Sequence, residues 1–369
     1  MKISIKMLFF SFLILVFISG CKSAGKTSKT IEDVRVGTDG LFLSFLVNNP
    51  PPRIHVESVE NPETSTFPVS IEIRNAGAYP QPNEGKAPTI GELYLSGFDP
   101  QIIEFDKAGK TTISNLNLEG KSTINPVGGL DYVSFTGTVK VGNLKTEKYD
   151  PIILATACYR YLTHAGPQVC IDPNPYSTVK EARVCEVHDI ALSGQGAPVA
   201  VTSIVEEALA GRTRFKITVK NVGGGDVLAL GAFEKCGPYG DKLKREDIDR
   251  VWFDEVMIGS KQLLCGPFTD SNTKSTYGFV RLINGEGSVI CEFPKNDYGQ
   301  SRTSFETPLK IRLNYVYRTT TQKKIEIRKE GDTNDESSGQ TIPSPQVYRE
   351  PDIITPPRDT YPLDYTPEI

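Results

Sequence analysis

The chain has 369 residues and a formal net charge of −4. Its lysines and arginines are scattered among the acidic residues and form no basic stripe interleaved with aromatic side chains, so the composition argues against nucleic-acid binding. After the N-terminal region, no apolar run approaches the roughly eighteen residues that a transmembrane helix needs.

The N-terminus has the pattern of an export signal. Lys2 and Lys6 form a short basic start, and residues 7–18 are almost entirely apolar. About a dozen apolar residues are too few to span a bilayer, so this stretch is predicted to be the apolar region of a signal peptide. Residues 18–21 (Ile-Ser-Gly-Cys) resemble a prokaryotic lipobox, which implies that Cys21 is lipidated and becomes the mature N-terminus.

The expected processing divides the beginning of the chain into two segments. Residues 1–20 are the predicted signal peptide, and residues 21–35 are the lipidated Cys21 followed by a small, polar and basic tether. Acyl chains on Cys21 would hold the exported protein on the membrane, facing the extracellular side. An ordinary signal peptide with a coincidental cysteine, or an uncleaved anchor, is the alternative.

The remaining cysteines indicate disulfides. Setting Cys21 aside leaves an even number of cysteines, which in an exported protein favours disulfide bonds over metal ligands or nucleophiles. None is spaced as Cys-x-x-Cys, and the histidines are far apart in sequence, so a zinc site is not expected. No metal-binding residues are assigned, and no cofactor is expected. The six cysteines are Cys158, Cys170, Cys185, Cys236, Cys265 and Cys291.

The pairing follows only in part from the sequence. Cys158 and Cys170 lie symmetrically on either side of His164, in the turn-like segment 163–166. A tight hairpin would place them opposite one another, so a Cys158–Cys170 disulfide is predicted. The other four cysteines allow three pairings. The favoured bonds are Cys265–Cys291 and Cys185–Cys236, with a buried free thiol as the alternative for Cys291.

The chain contains an internal repeat. Residues 71–77 (IEIRNAG) and 217–223 (ITVKNVG) both alternate apolar and polar residues and end in Asn-x-Gly, 146 residues apart. Residues 159–163 (YRYLT) and 315–319 (YVYRT) are 156 residues apart. The similar offsets predict two copies of one unit, the second enlarged by insertion. The Asn and Gly are expected in a turn, where both tolerate positive φ.

The local patterns predict an all-β fold. Short alternating runs separated by turn residues predominate, so two tandem immunoglobulin-like β-sandwich domains are expected, at residues 36–180 and 181–328. Extended runs at 169–171 and 324–327 are expected to close each domain with a hairpin. Residues 329–369, acidic and then rich in proline and tyrosine, are expected to be disordered, as a spacer or as a docking peptide.

Three short motifs carry a resemblance. A strand followed by Asn-x-Gly in a repeated exported module resembles the CARDB-type immunoglobulin-like domains of prokaryotic surface proteins. Residues 158–163 (CYRYLT), 169–173 (VCIDP) and 196–202 (GAPVAVT) are similar to segments of uncharacterised archaeal surface proteins. The resemblance covers residues 66–328. It implies an extracellular module and an archaeal source, and it carries over no functional residues.

No catalytic constellation stands out. The chain has no Gly-x-Ser-x-Gly run, and Ser177 and Lys180 match Ser-x-x-Lys only within an expected linker. Asp332, Asn334 and Glu336 alternate like the start of a calcium loop, but the required Gly and bidentate acid are missing, which favours a solvated linker. Calcium held by acids from loops of the two domains is the alternative. Paired tyrosines at 159, 161, 315 and 317 could stack on sugars, but they share strand parity with apolar residues, which favours core packing. Trp252 is also expected in the core.

These observations predict a non-enzymatic, lipid-anchored cell-surface protein for adhesion, envelope assembly or scaffolding. Its expected partners are the membrane, through the lipid on Cys21, and an envelope protein or glycan, but not nucleic acid; self-association is left open. The alternative is a surface β-sandwich enzyme, or an accessory subunit of one, that acts on glycans or envelope polymers. An enzyme of that kind needs paired carboxylates in a shared cleft.

Overall fold

A computed structural model describes residues 34–57, 65–80, 91–113, 116, 118–177, 183–271, 273–299, 301 and 303–330. The predicted signal peptide, the predicted lipidation site Cys21, most of the expected tether and nearly all of the C-terminal tail lie outside the described residues. Within the described ranges, no helix combines the length and the apolar character needed to cross a membrane.

Strands dominate the described chain, which confirms the prediction of an all-β fold. The strands up to residue 171 are β1 (Leu41–Phe45), β2 (Arg53–Val56), β3 (Thr66–Asn75), β4 (Gly91–Ser96), β5 (Ile103–Phe105), β6 (Lys110–Thr112), β7 (Leu130–Val139), β8 (Lys148–Tyr149), β9 (Ile152–Ala165) and β10 (Gln168–Ile171). The strands that follow are β11 (Ile190–Ala191), β12 (Val199–Leu209), β13 (Arg212–Asn221), β14 (Asp226–Leu228), β15 (Arg250–Ile258), β16 (Lys261–Gln262), β17 (Leu264–Gly266), β18 (Gly278–Arg281), β19 (Glu286–Pro294), β20 (Phe305–Lys324) and β21 (Glu326–Lys329). Short 3-10 helical turns occur at Asp106–Gly109, Val141–Asn143, Leu230–Lys235 and Lys295–Asp297.

The described strands form four sheets. A four-stranded sheet has the order β1-β3-β7-β5, and a five-stranded sheet has the order β11-β12-β13-β19-β17. A nine-stranded sheet follows the order β16-β15-β20-β9-β4-β6, with β10 and β14 also paired to β20 and β18 paired to β15. In a three-stranded sheet, β21 lies between β2, to which it is parallel, and β8.

The sheet order contains the internal repeat. Strands β1, β3, β7 and β5 of the first half have the same order as β12, β13, β19 and β17 of the second. Strands β3 and β13 each have ten residues, and both their first and their last residues are 146 positions apart. In the nine-stranded sheet, β9 and β20 carry the two repeated tyrosine motifs. The two halves of the chain are therefore two copies of one arrangement of strands.

The two copies meet through β9 and β20. Tyr159 lies opposite Tyr317, and Tyr161 lies opposite Tyr315. Because Tyr159 is the repeat equivalent of Tyr315, and Tyr161 of Tyr317, this pairing relates the copies by a pseudo-twofold axis. Buried apolar residues from both copies belong to one continuous core among the described residues. The predicted domain boundary between residues 180 and 181 lies outside the described residues, and the described parts of the two predicted domains share a sheet and a core.

The predicted closing hairpins are wrong. After β9, the chain continues as β10 along the same edge of β20 without a change of register, so that Cys170 lies opposite Glu306. Cys158 and Cys170 are consequently twelve residues apart along one side of β20, roughly 40 Å at about 3.3 Å per residue. That distance excludes the predicted Cys158–Cys170 disulfide. Strand β21 likewise pairs with β2 and β8 and does not fold back on β20.

The described residues contain three disulfides. They join Cys158 to Cys236, Cys170 to Cys185 and Cys265 to Cys291. The last is the expected pair, and its two residues lie directly opposite in β17 and β19. The predicted Cys185–Cys236 bond is wrong because Cys236 packs on the face of β9 that carries Cys158, whereas Cys185 lies beside β10. Three disulfides indicate that the protein matures in an oxidising compartment.

The repeated Asn and Tyr form matching hydrogen bonds in the two halves. In the second half, the Tyr317 hydroxyl donates to Asn221 Oδ1 at 3.1 Å and accepts from the backbone N–H of Gly225 at 2.8 Å. Asn221 Nδ2 donates to the Gly225 carbonyl at 2.9 Å. In the first half, Asn75 Nδ2 donates to the carbonyl of Tyr79 at 2.7 Å, and the Tyr161 hydroxyl accepts from the backbone N–H of that residue at 3.2 Å.

The glycines of these motifs serve a different purpose from the one predicted. Neither Gly77 nor Gly223, and neither of the two asparagines, has a positive φ. A Cβ atom at Gly77 would overlap the Tyr161 hydroxyl, and one at Gly223 would overlap the Tyr317 hydroxyl. Glycine is therefore required because a buried tyrosine approaches the backbone closely, and not because the turn needs a left-handed conformation.

Candidate functional site

A cleft of about 660 Å³ opens where the edge of the nine-stranded sheet meets the segment after the Leu230–Lys235 turn. We call it the aromatic cleft, because four of its lining residues have aromatic rings. Two of its other lining residues are glutamates. These six residues are Tyr94, Phe98, Phe105, Tyr239, Glu104 and Glu234. Strands β4, β5 and β6 supply one wall, and residues 234–240 supply the other.

Strand alternation and a disulfide position Tyr94. Leu93 and Leu95 point into the main core, so the intervening Tyr94 lies on the outer face of the sheet. There it belongs to a smaller apolar cluster together with Cys158 and Cys236, whose disulfide holds residues 230–240 over the outer face. A Cβ atom at Gly237 would lie 2.6 Å from Cζ of Tyr94, so only glycine allows this close contact.

The opposite wall presents Tyr239 to solvent. Its side chain is 64% exposed, yet its hydroxyl donates to the Leu95 carbonyl at 2.8 Å. The phenol is thereby fixed at one end while its ring faces remain accessible. Phe98 and Phe105 form an edge-to-face pair with their centroids 4.9 Å apart. Tyr239 thus offers a restrained and exposed aromatic surface, which binds at a low cost in side-chain entropy, whereas Tyr94 and Phe105 line the cleft from buried positions.

A charged pair supports Tyr94 from the side. Lys110 Nζ lies 2.8 Å from a Glu92 carboxylate oxygen and 5.2 Å from the centroid of the Tyr94 ring. The Tyr94 hydroxyl also donates a hydrogen bond to Glu92. Burial raises the pKa of Glu92, but hydrogen bonds from Lys110 and Tyr94 outweigh it and lower the pKa overall. Burial and the Glu92 carboxylate raise the pKa of Tyr94 well above its usual value, so its hydroxyl remains protonated.

The two carboxylates of the cleft differ in their surroundings. Glu104 is paired with Lys140, with Oε2 and Nζ 2.7 Å apart. Glu234 is exposed and forms no ion pair with any described residue. Its charge contributes to the raised pKa of Tyr94. The cleft can therefore supply hydrogen-bond acceptors beside aromatic rings. Among the described residues, no group of three or more His, Cys, Asp or Glu side chains is arranged to hold a metal.

The aromatic residues that the sequence analysis singled out differ in their burial. Tyr159, Tyr161, Tyr315 and Tyr317 are all buried, which confirms that they pack in the core and do not form a sugar-stacking surface. The expectation for Trp252 is wrong. Val251 and Phe253 are fully buried, and the alternation of β15 turns the intervening Trp252 to the outer face, where it is half-buried.

Sequence reasoning missed the aromatic cleft. Tyr94 and Tyr239 are far apart in sequence, and no local pattern connects them. The signal that could have connected them is the Cys158–Cys236 disulfide, which brings residues 234–240 to β4. Comparison of the sequence with protein-family models and with curated proteins finds no match.

Proposed function

We propose that this is a non-enzymatic exported protein, anchored to the membrane by lipid on Cys21, that binds an envelope glycan or protein in the aromatic cleft. Binding there would serve adhesion, envelope assembly or scaffolding. The observation that carries the proposal is the fixed geometry of the cleft. Tyr94 is held by Glu92 and Gly237, and Tyr239 by the Leu95 carbonyl, before any ligand arrives.

The fold is proposed to be a pair of immunoglobulin-like β-sandwiches of the CARDB type, fused through a common sheet. The repeated strand order supports this proposal, since each copy contributes one small sheet and about half of the nine-stranded sheet. A two-layer arrangement buries one face of each sheet and leaves the outer faces for recognition.

The anchor is proposed from the lipobox-like residues 18–21, and the oxidising compartment indicated by the three disulfides supports export. Mass spectrometry of the protein purified from membranes tests it. The expected N-terminal peptide begins at Cys21 and carries acyl chains. A mature peptide with an unmodified Cys21, or one that retains residues 1–20, would remove the anchor from the proposal.

Binding in the cleft can be tested with immobilised envelope fractions. Tyr239→Ala is expected to reduce retention of the protein about tenfold, because truncating a central aromatic anchor removes a large share of binding energy. Tyr176→Ala is the matched control, since Tyr176 is 71% exposed and does not line the cleft. Equal retention of the two variants would show that the cleft does not bind the partner.

A second function is favoured by one observation, namely that Glu104 and Glu234 line the same cleft. Glycoside hydrolysis uses two carboxylates that flank the scissile bond. Incubating the protein with envelope polysaccharide and analysing the products separates the two functions. Release of oligosaccharides by the wild type, lost in Glu234→Gln, would establish the enzyme. Retention on the polysaccharide without release supports the binding protein.

A further inference from the structure

A second aromatic surface lies on the outer face of the nine-stranded sheet, in the second repeat. Trp252 of β15 lies opposite Phe279 of β18, with the ring centroids 4.7 Å apart. The Tyr277 ring is 5.4 Å from that of Trp252 and inclined to it by 35°. Tyr277 is 54% exposed, and the other two side chains are half-buried. We call these three residues the stacking platform.

The internal repeat indicates that the fold itself does not require the stacking platform. Trp252 lies opposite Asn314 of β20, and in the first repeat Glu92 lies opposite Cys158 of β9. Asn314 and Cys158 are repeat equivalents, so Trp252 occupies the position that Glu92 occupies in the first copy. The inward tyrosines are the same in both copies, whereas these outward residues differ. The difference indicates a role outside the core for Trp252.

Polar groups surround the rings. The Arg250 guanidinium is 5.7 Å from the Phe279 centroid and is held by two hydrogen bonds to Asp270, each 2.8 Å long. Arg250 Nε is buried and has no hydrogen-bond partner among the described residues. Asn314 is half-buried beside Trp252 in the neighbouring strand. A fixed Arg250–Asp270 pair and the polar side chain of Asn314 therefore border a partly exposed aromatic surface.

We propose that the stacking platform binds the pyranose rings of a neutral polysaccharide. A pyranose presents a face of C–H groups that suits an aromatic ring and a rim of hydroxyls that suits groups such as Asp270 and Asn314. Three partly covered rings are small for a protein-docking patch, which usually exceeds a few hundred Å² of apolar surface. A net charge of −4 disfavours polyanionic ligands.

This proposal goes beyond the proposed function, because it places a polysaccharide at a second site, outside the aromatic cleft. It rests on the platform alone and does not require the aromatic cleft to bind the same molecule. Trp252 is the single tryptophan of the chain, so intrinsic tryptophan fluorescence reports directly on the platform. Ligands that occupy only the cleft, around Tyr94 and Tyr239, would leave that signal unchanged.

The experiment is a fluorescence titration of the full-length protein with cellohexaose, chitohexaose and maltohexaose. At least one oligosaccharide is expected to shift the Trp252 emission to shorter wavelength and to protect it from acrylamide quenching. Tyr277→Ala keeps the reporter and is expected to weaken that binding about tenfold, as does loss of an aromatic anchor at other binding sites. Tyr132→Ala is the control, because Tyr132 is 51% exposed and lies in β7, in another sheet.

Each outcome decides between the two sites. No change in Trp252 emission with any of the three oligosaccharides would overturn the platform proposal, and so would unchanged affinity in Tyr277→Ala. If Tyr239→Ala abolishes retention on envelope fractions while Trp252 does not respond, the proposed function stands and the platform proposal fails. If Trp252 responds while Tyr239→Ala changes nothing, the platform is the binding site and the cleft is not. Thermal unfolding of each variant confirms that it is folded.

Discussion

The backbone N–H of Cys170 donates a hydrogen bond to Oε2 of Glu206 at 3.2 Å, across the space between β10 and β12. The other carboxylate oxygen, Oε1, is buried and has no hydrogen-bond partner among the described residues. Burial raises the pKa of Glu206 to about 7, although the hydrogen bond from Cys170 and the charge of His188 act in the opposite direction. A carboxyl group that favours its neutral form is thus placed beside the Cys170–Cys185 disulfide.

The contribution of Glu206 to the free energy of unfolding should therefore decrease as the pH rises from about 4.5 to about 7. The folded-state pKa of Glu206 lies above the unfolded value of about 4.5, so the folded protein binds more protons between these two pH values. Stability is highest below pH 4.5 with respect to this group and is lost as the pH rises through about 7. Glu206→Gln should remove this dependence and should be about 1–2 kcal/mol more stable than wild type at pH 8.

Urea unfolding at pH 5 and at pH 8 measures this difference. The variant is expected to approach or fall below the wild type at pH 5 and to exceed it at pH 8. Glu207→Gln is the matched control, because Glu207 is the next residue of β12 and its side chain is 52% exposed. A parallel pH dependence of the wild type and Glu206→Gln would contradict the argument.

Removing the Cys158–Cys236 disulfide should weaken the aromatic cleft as well as the fold. The bond closes a loop of 78 residues, and the loss of such a cross-link costs about 2–5 kcal/mol. It also holds Gly237 against Tyr94, so the wall that carries Tyr239 should become mobile. Replacing both cysteines by alanine is expected to lower the urea midpoint and to reduce partner retention at least as much as Tyr239→Ala.

The Cys265–Cys291 disulfide provides the control. It closes a separation of 26 residues in the five-stranded sheet and touches no residue of the aromatic cleft. Its double alanine variant should lose about 2–4 kcal/mol of stability and keep its partner. Peptide mapping without reduction checks the pairs directly. A cross-linked peptide that joins Cys158 to Cys170 would contradict the pairing of both β9 and β10 with β20.

Features that depend on one strand could be predicted from the sequence. The alternation in β20 identifies Tyr315 and Tyr317 as inward residues because strand side chains have a period of two. The repeat can also be recognised in the sequence. Both copies bury the same tyrosines against an Asn-x-Gly segment, so both copies retain these residues. The same period of two places Trp252 on the outer face of β15. The apolar neighbours Val251 and Phe253 make the segment look uniformly buried and hide this alternation.

Features that depend on distant pairing could not be predicted. Whether the chain after Ala165 turns back along β9 or continues beside β20 is decided by residues 305–308, far away in sequence. Because the chain continues beside β20, Cys170 lies far from Cys158, and Cys158 forms its disulfide with Cys236. The aromatic cleft then depends on the resulting Cys158–Cys236 bond, since Tyr94 and Tyr239 belong to different repeats. Without the correct partner of Cys158, the sequence cannot show that Tyr94 and Tyr239 lie in one cleft.

Gly223→Ala should destabilise the protein through the buried tyrosine of the second repeat. A methyl group at this position would overlap the Tyr317 hydroxyl, which is held by Asn221 and Gly225. Relieving the overlap requires a shift of the ring or of the turn, and overpacking of this kind costs about 1–3 kcal/mol. Thermal or urea unfolding monitors the loss.

The neighbouring glycine gives a stringent control for this prediction. A Cβ atom at Gly224 would meet no heavy atom within 4 Å, and its φ is not positive, so Gly224→Ala should change stability by less than about 0.5 kcal/mol. Adding Tyr317→Phe to Gly223→Ala removes the overlapping hydroxyl and should recover part of the loss, although Asn221 and Gly225 lose a partner. If Gly223→Ala and Gly224→Ala are equally destabilising, loss of glycine flexibility is the cause. In that case the close approach of Tyr317 does not explain the repeated Asn-x-Gly motif.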